Sequence, residues 1–373
     1  MRQPAHGGNL AWAAALADCP PDAILDFSAS ISPLGPPNSA IAAIKSQIGN
    51  LKHYPDPNYS ELRLALSHFH QVPSEWILPG NGSAELLTLI GRELAQLAAT
   101  ILITPAFGDY YRTLRAYNAK VLECPLSLVT GHRSLVIDKG HRRPSGFPQG
   151  RTKDKGLLLN NPHNPTGKLF SRDSILPYLE QFALVVVDEA FMDFVPPNEE
   201  QSLIPVVQEY ANLVVLRSLT KFYSLPGLRL GYAIAHPDCL AKWQLWRDPW
   251  PVNTLAAAAA IAALQDTKFQ QQTWAWLPPT RNQLFQGLAE IPGLQPQASA
   301  ANFLLVESQE STSQLQHQLL KYHQIFIRDC LSFKELGDRF FRVAVREESD
   351  NQRLLTALNS VLSAEWRVRK QEF

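Results

Sequence analysis

Residues 217–232 read RSLTKFYSLPGLRLGY, and they hold one lysine, Lys221, in a polar turn. The apolar run NLVVLR (212–217) precedes this turn and RLGYAIA (229–235) follows it, so both flanks are predicted strands. A lysine after a strand is ordinarily a solvated loop residue. The residues that follow the other apolar runs decide whether Lys221 has a function.

Short apolar runs alternate with helical patterns along the first two thirds of the chain. Helical periodicity is clear from Tyr59 and again from Ser83. Runs that are apolar on both faces and separated by helices are typical of a parallel sheet buried between helical layers. The sequence therefore predicts an α/β fold with a mostly parallel sheet, whose strands include ILIT at 101, GLLLN at 156, ALVVVD at 183, NLVVLR at 212 and RLGYAIA at 229.

The sequence pattern changes after about residue 265 and indicates helices with a few strands (NFLLVES at 302, IFIRD at 325, FFRVAVR at 340). This pattern predicts a smaller α+β domain. We expect residues 1–45 to form an N-terminal arm and part of this small domain, 46–260 the large domain, and 261–373 the rest of the small domain. The polar, basic segment 127–155 is either a solvated insertion or a patch for a partner.

Composition describes an ordinary globular chain of 373 residues, 45% hydrophobic, with 34 basic and 34 acidic residues. This balance predicts no nucleic-acid or membrane partner. Four scattered cysteines form no CxxC pair, so neither a metal site nor a disulfide framework is expected. The N-terminus lacks a signal-peptide pattern, and the apolar run 255–264 is too short to cross a bilayer. A cytoplasmic location is therefore predicted.

Polar residues follow several predicted strands. NNPHNPTG (160–167), DEAF (188–191) and RSLTK (217–221) each come where an apolar run ends. Taken singly, Asp188 could be a helix cap and Asn164 a turn residue. Because ligands of open parallel sheets bind beyond the carboxyl ends of the strands, the three motifs together predict a shared site.

These motifs resemble those of the pyridoxal-phosphate enzymes of the aspartate aminotransferase fold (fold type I), which carry NPTG, DEA and SxxK in this order. The resemblance covers nearly the whole chain and implies pyridoxal 5′-phosphate as cofactor. It implies that Lys221 carries the cofactor covalently and later moves the proton at Cα. Asp188 would hold a proton on the pyridine nitrogen, and Asn164 would donate to the ring oxygen.

The cofactor phosphate needs anion donors. Gly82, Ser83 and Ala84 open a predicted helix, whose backbone N–H groups suit a dianion. Ser218 and Arg229 would add a hydroxyl and a guanidinium.

The resemblance also implies that Phe107 stacks on the cofactor ring, and a core aromatic is the alternative for this residue. Tyr59 matches a tyrosine that reaches the phosphate from a neighbouring subunit, so a homodimer is implied. Many relatives have a tyrosine in place of Phe191, and this chain thus lacks a second hydrogen bond to the ring oxygen.

Within this group the closer resemblance is to the threonine-phosphate decarboxylases of cobalamin biosynthesis, which are relatives of the histidinol-phosphate aminotransferases. It is carried by HGGN (6–9), DFSASISPLGPP (26–37), DEAFMDF (188–194), IRDC (327–330) and FFRVAVR (340–346), together with the stretch quoted first. HGGN could otherwise be a flexible tail with a glycine turn.

The resemblance implies that Arg342 holds a substrate carboxylate and that Arg328 and His6 hold a phosphate. Gly7, Ser30 and Asn164 complete the predicted pocket. Two separate arginines suit a substrate with an anion at each end, although surface arginines are the alternative. Ser30 and Ser32 depart from the family pattern, which leaves substrate identity open.

We expect decarboxylation of O-phospho-L-threonine to (R)-1-amino-2-propanol O-phosphate. The alternative is transamination, as in histidinol-phosphate aminotransferase with 2-oxoglutarate. The bond that breaks at Cα is the one perpendicular to the cofactor ring, and the sequence does not give that angle. A ligand-sensing regulator is disfavoured by Lys221 and by the lack of a helix-turn-helix segment.

Overall fold

The computed structural model describes residues 7–126 and 153–363, and these divide into two compact units. Of the described residues, unit 2 contains 34–126, 153–164 and 168–273, and unit 1 contains 7–33, 165–167 and 274–363. The divisions therefore fall after Pro33 and Thr273, not after residues 45 and 260 as predicted. Helix α2 (Asn38–Gln47) explains the first difference, because it packs along helix α8 (Thr254–Gln265) inside unit 2.

Unit 2 is built on a seven-stranded sheet. Its strands are β2 (Ile77–Asn81), β3 (Ala99–Thr104), β4 (Val121–Pro125), β5 (Lys155–Asn160), β6 (Leu184–Asp188), β7 (Leu213–Ser218) and β8 (Leu230–Ala235). They lie in the order β2-β8-β7-β6-β5-β3-β4, and only β8 runs antiparallel to its neighbours. The predicted α/β fold with a mostly parallel sheet is confirmed.

The helices of unit 2 cover this sheet and supply its core. They are α2, α3 (Ser60–His70), α4 (Gly82–Leu94), α5 (Gly108–Ala116), α6 (Arg172–Leu179), α7 (Pro237–Gln244) and α8. One core cluster joins Leu86 and Ile90 of α4 to Val186 of β6, Leu216 of β7 and the fully buried Trp243 of α7. Strands β6 and β7 at the centre of the sheet are buried on both faces, which accounts for their unbroken apolar runs.

Two strands were missed by the sequence patterns, and both lie at the edges of the sheet. Strand β2 has the sequence ILPGN, which reads as a break because of Pro79 and Gly80. Proline is tolerated at an edge, where its missing N–H is not needed by a neighbouring strand. Strand β4 is only partly buried, so its apolar pattern is weak.

Unit 1 contains a four-stranded sheet with the order β12-β13-β10-β9, formed by Arg328–Asp329, Phe340–Ala344, Phe303–Ser308 and Leu294–Pro296 respectively. All of its pairings are antiparallel. Strand β1 (Leu25–Asp26) pairs separately with β11 (Ile325–Phe326) in parallel. The helices are α1 (Leu10–Ala17), α10 (Thr312–His323) and α11 (Glu348–Leu362), and helix α9 (Thr267–Ala289) carries the chain from unit 2 into unit 1.

Within the residues that the structure describes, no helix combines the length and the apolar character needed to span a membrane. His6, the predicted partner of a substrate phosphate, and most of the basic segment 127–155 lie outside the described residues.

Candidate active site

The predicted cofactor residues lie at one end of the seven-stranded sheet, where the parallel strands finish, and we call this end the edge of the sheet. Asn164 follows β5, Asp188 ends β6, and Ser218 ends β7, with Lys221 three residues further on. Strand β8 is antiparallel to β7, so Arg229 at its start lies at the same edge, where Ser218 pairs with Gly231. Strand topology alone therefore brings these motifs together.

The first turn of α4 and Arg229 form an anion-binding arrangement. Gly82 begins α4 with a φ of +72°, a conformation that side-chain-bearing residues rarely adopt. A Cβ atom at Gly82 would lie 2.5 Å from Nη2 of Arg229, so the guanidinium lies directly against the helix N-terminus. A helix N-terminus and a guanidinium both favour negative charge, and their coincidence fits a phosphate dianion.

Arg229 itself has a backbone conformation that is uncommon for a residue with a side chain. Its φ is 59° and its ψ is 66°, in the left-handed region. Its Nη1 atom donates to the carbonyl of Pro226 at 3.1 Å, which fixes the direction of the side chain. Conformations of this kind cost free energy and are concentrated at functional sites.

Ser218 is more deeply buried than Ser83 and Ala84, which lie at the same edge of the sheet. Ser218 is buried, and its hydroxyl lies 2.7 Å from the hydroxyl of Thr220. Ser83 and Ala84 in the first turn of α4 are half-buried, and N–H groups in the first turn of a helix have no acceptor within the helix.

Asp188 is a buried carboxylate that accepts a hydrogen bond at each of its two oxygens. Its Oδ2 atom accepts from the hydroxyl of Tyr110 at 2.8 Å, and its Oδ1 atom accepts from the N–H of Ala190 at 3.0 Å. Burial raises the pKa of Asp188, and these hydrogen bonds together with the charge of Lys221 act in the opposite direction. A cationic ring nitrogen is the kind of partner that stabilises a carboxylate in such a place.

Tyr110 was not predicted from the sequence. It lies one helical turn after Phe107, and the two rings make an edge contact with centroids 5.7 Å apart. Its spacing of three residues from Phe107 puts the two rings on one face of helix α5, and this spacing was the signal that could have identified it. Phe107 is half-buried at the N-terminus of α5, and it packs against the core of unit 2.

A second cluster of charges, centred on Arg217, lies under the same edge. Arg217 is 1% exposed and points away from Ser218, its neighbour on β7. Its Nε atom lies 3.0 Å from Glu189 and its Nη2 atom 2.6 Å from Glu200, while Nη1 bonds Asp193. Glu189 also accepts from the hydroxyl of Ser202 at 2.6 Å.

The Arg217 cluster joins the ends of β6 and β7. Because Glu189 follows Asp188 and Arg217 precedes Ser218, the ion pair between them fixes the two strand ends that carry predicted cofactor residues. Burial raises the pKa of Glu189 to about 7, and the charge of Arg217 acts in the opposite direction.

Tyr59 is occupied inside its own unit. It is 6% exposed, and its hydroxyl donates to the carbonyl of Val252 at 3.1 Å and accepts from the N–H of Val252 at 3.0 Å. Tyr54, in the same YPDPNY segment, is 78% exposed and stacks on Trp250 with centroids 4.4 Å apart.

The predicted substrate arginines face each other in unit 1. Arg328 of β12 and Arg342 of β13 are direct cross-strand partners, and both are buried, with 5% and 9% exposure. Like charges opposite one another on a sheet are destabilising. Burial and the charge of Arg328 lower the pKa of Arg342 to about 10. A bound anion would relieve both effects.

Each arginine of the pair is held in place by a contact within unit 1. Nη2 of Arg328 donates to the hydroxyl of Ser332 at 2.7 Å, and Nη1 lies 3.9 Å from Asp329. The guanidinium of Arg342 lies 4.9 Å from the ring centroid of Phe303, and Nη2 donates to the carbonyl of Ser28 at 3.3 Å. Such buried, oriented guanidinium groups are suited to bidentate recognition of carboxylate and phosphate.

The other predicted substrate residues of unit 1 lie near its N-terminal segment. Gly7 is half-buried, and Ser30 is 2% exposed with a hydroxyl that has no hydrogen-bond partner in the described residues. A buried hydroxyl without a partner is costly, which fits a position that meets a polar ligand.

Comparison with known proteins identifies the class. Residues 22–358 match the model of the family described as aminotransferase class I and II, and the chain belongs to this family. Its members depend on pyridoxal 5′-phosphate, and the arrangements around Gly82 and Asp188 fit the phosphate and the pyridine nitrogen of that group.

Particular relatives are similar over nearly the whole chain. A threonine-phosphate decarboxylase from Salmonella typhimurium is 38% identical over 96% of this chain and 97% of the relative. An adenosylcobalamin biosynthesis bifunctional protein from Leptospira interrogans is 29% identical over 97% of this chain, which matches 41% of that longer protein. Among solved structures, a histidinol-phosphate aminotransferase from Clostridium acetobutylicum has a TM-score of 0.81 and 28% identity, with coverage of 91% of this chain and 99% of that one.

Proposed function

We propose that this protein decarboxylates O-phospho-L-threonine to (R)-1-amino-2-propanol O-phosphate, in the biosynthesis of cobalamin. The observation that carries this proposal is the pair of buried arginines, Arg328 and Arg342, which are direct cross-strand partners. A small zwitterion with a carboxylate at one end and a phosphate at the other provides one anion for each guanidinium. The similarity to threonine-phosphate decarboxylase from Salmonella typhimurium supports the same activity.

We propose the following roles for the cofactor residues. Gly82, Ser83 and Ala84 bind the cofactor phosphate through backbone N–H groups, with Ser218 and Arg229 as further donors. Asp188, oriented by Tyr110, keeps the pyridine nitrogen protonated, and Asn164 donates to the ring oxygen. Lys221 carries the cofactor and Phe107 stacks on its ring. When bound, the cofactor supplies an electron sink for the pair left at Cα.

Substrate binding then falls to the arginines and the N-terminal segment. Arg342 holds the carboxylate, so its position sets the direction of the bond that breaks. Arg328 holds the phosphate. We propose further substrate contacts for Gly7, Ser30 and Asn164, and for His6, which lies outside the described residues. Carbon dioxide leaves from Cα, and the amine of Lys221 delivers a proton to the same atom.

The direct test measures carbon dioxide released from carboxyl-labelled O-phospho-L-threonine by the protein loaded with pyridoxal phosphate. We expect stoichiometric release of carbon dioxide and the phosphorylated amine. Formation of a keto acid and pyridoxamine phosphate would instead contradict the proposal. The Lys221→Ala variant is the matched control, since it lacks the amine that moves the proton.

A second candidate is histidinol-phosphate aminotransferase, favoured by the solved structure from Clostridium acetobutylicum. This reaction needs a phosphate site but no carboxylate site in its amino substrate. Turnover of histidinol phosphate with 2-oxoglutarate separates the two activities. Histidinol phosphate has no carboxylate, so the half-reaction in which it loses its amino group should not depend on Arg342. A dependence on Arg342 in the reaction of the amino substrate therefore favours the decarboxylase.

We also propose that the protein works as a homodimer through a surface of unit 2. Large apolar side chains are exposed there at Ile48, Leu51 and Tyr54, and Tyr54 stacks on the half-exposed Trp250. An apolar surface of this kind is typical of an interface. Sedimentation equilibrium tests the dimer, and Leu51→Glu is expected to shift it toward monomer.

The tyrosine that crosses this interface is proposed to be Tyr54 and not Tyr59. The hydroxyl of Tyr59 is engaged by both backbone groups of Val252 in its own unit, whereas Tyr54 is largely exposed. Tyr54→Phe is expected to weaken binding of pyridoxal phosphate with little change in thermal stability. Tyr59→Phe is expected to lower thermal stability instead, and the reverse result would restore the prediction for Tyr59.

A further inference from the structure

Ser28 connects the two segments of unit 1 that are proposed to bind the ends of the substrate. Its hydroxyl accepts a hydrogen bond from the N–H of Gly8 at 2.7 Å, in the HGGN segment. Its carbonyl accepts one from Nη2 of Arg342 at 3.3 Å. Gly8 is 20 residues away in sequence and Arg342 is 314 residues away. A single fully buried residue therefore contacts both segments.

The direction of the hydrogen bond from Gly8 is fixed by Asp26. The hydroxyl of Ser28 donates its only proton to Oδ1 of Asp26 at 2.6 Å, and the same oxygen accepts from the N–H of Ser28 at 2.7 Å. A hydroxyl that has given its proton to one partner offers only lone pairs to the other. The hydroxyl of Ser28 is thus held as an acceptor toward Gly8.

Asp26 is in turn anchored to the strand that leads to the second arginine. It pairs with Phe326 of β11, two residues before Arg328, and its carbonyl accepts from Nη1 of Arg346 at 3.2 Å. The base of the connection is therefore part of the sheet structure of unit 1. A displacement of Ser28 relative to Arg328 would require this strand pairing to change.

The approach of the HGGN segment to Ser28 is close. A Cβ atom at Gly7 would lie 2.2 Å from the carbonyl oxygen of Ser28 and 2.7 Å from its carbonyl carbon. These are backbone atoms and cannot rotate away, so this distance requires glycine at position 7. The closeness agrees with a segment whose position relative to Ser28 is fixed.

We infer that Ser28 is a positioning residue that sets the separation between the phosphate-binding and carboxylate-binding segments, and that it thereby selects phosphorylated amino acids of one length. The inference rests on the proposed function for the roles of the HGGN segment and Arg342. In O-phospho-L-threonine, one carbon and one oxygen separate Cα from phosphorus. O-phospho-L-homoserine is longer by one methylene, and L-threonine has no phosphate.

The test compares kcat/KM of the holoenzyme and its Ser28→Ala variant for these three compounds. Loss of the hydroxyl frees the N–H of Gly8, so kcat/KM for O-phospho-L-threonine is expected to fall by about tenfold or more. The preference for O-phospho-L-threonine over O-phospho-L-homoserine is expected to shrink, because the separation between the HGGN segment and Arg342 is no longer fixed. The slow turnover of L-threonine is expected to stay the same, since it has no group for the HGGN segment.

Two sets of variants serve as controls. Ser39→Ala is the matched variant, because its hydroxyl also bonds a carboxylate, Asp266, at 2.6 Å, but in unit 2. It is expected to leave the preference among the three compounds unchanged. Asp26→Asn keeps an oxygen that accepts from Ser28 and is expected to retain most of the preference, whereas Asp26→Ala is expected to lose it.

Equal decreases for all three compounds in Ser28→Ala, or an unchanged preference, would overturn the inference. Hydrogen–deuterium exchange provides a readout that needs no turnover, and exchange in the peptide containing Gly8 is expected to increase in Ser28→Ala but not in Ser39→Ala. If the wild-type protein releases no carbon dioxide from O-phospho-L-threonine, the proposed function fails and the exchange measurement still decides the connection. Unchanged exchange in Ser28→Ala would refute it.

Discussion

The edge of the seven-stranded sheet in unit 2 and the arginine pair of unit 1 achieve their geometry in different ways. In unit 2, parallel strands end at a common edge, so each short motif after a strand reaches the same place. In unit 1, Arg328 and Arg342 meet because of the register between two antiparallel strands. The proposed cofactor residues therefore depend on local sequence and topology, whereas the two proposed substrate arginines depend on register.

The two regions also differ in how they treat buried charge. The guanidinium of Arg217 in unit 2 is surrounded by the carboxylates of Glu189, Asp193 and Glu200. In unit 1 the buried Arg342 lies opposite another arginine, and its pKa is lowered to about 10 by burial and by that neighbour. The first arrangement balances a buried cation with carboxylates, so removal of one partner should be costly. The second places two like charges opposite one another on a sheet, which is unfavourable.

The largest effect is expected at Lys221, in the unit 2 region. Lys221→Ala removes the amine that is proposed to carry the cofactor and to move the proton, so decarboxylation is expected to fall at least about a thousandfold. The visible absorption of the bound cofactor is expected to disappear as well. Lys45→Ala, at an exposed position on α2, is the control. Persistence of the yellow colour in Lys221→Ala would mean that another lysine carries the cofactor.

Arg217→Met tests the compensated charge of unit 2. The substitution keeps much of the volume but leaves three carboxylates without their shared partner, so the free energy of unfolding is expected to fall by about 3 to 5 kcal/mol. Urea denaturation measures it. Glu200→Gln, which removes the partner that is 34% exposed, is expected to have a much smaller effect. A loss below about 1 kcal/mol for Arg217→Met would show that the cluster contributes little.

The same substitution at Arg342 is expected to lower activity and not stability, which is the opposite of the expectation for Arg217. Arg342→Met removes the charged contact that is proposed for the substrate carboxylate, so transition-state stabilisation is expected to fall by about 2 to 5 kcal/mol, measured as kcat/KM. The free energy of unfolding is expected to stay level or rise, because a buried like charge opposite Arg328 is gone. Arg353→Met, at an exposed position, is the control. Equal loss of stability at Arg217 and Arg342 would remove the distinction between the two regions.

What the sequence could predict follows the same division. The strands around Asp188 and Lys221 were predictable because buried parallel strands are apolar throughout and the motifs follow them directly. The partners of Arg217 were not, since Glu200 lies 17 residues earlier and nothing local marks it. Ser28 was also missed, because its contact with Arg342 spans 314 residues.

The smallest effect is expected at His163, which lies between Pro162 and the proposed cofactor residue Asn164. Its side chain is completely buried, and burial, aided by the charge of Lys168, lowers its pKa to about 3 from an ordinary value of 6.5. Below pH 6.5 the unfolded chain therefore binds a proton that the folded protein does not, and stability falls as the pH falls toward 3. Between pH 6.5 and pH 5 this single group is expected to cost about 2 kcal/mol.

His163→Asn is expected to remove this contribution, so the free energy of unfolding of the variant should fall less between pH 6.5 and pH 5 than that of the wild type. Urea denaturation at both pH values measures the difference. His317→Asn, at an exposed position on α10 in unit 1, is the matched control. The same pH dependence in His163→Asn and in the wild type would mean that His163 is protonated in the folded protein. The contrast in buried charge between the two regions would then rest on Arg217 and Arg342 alone.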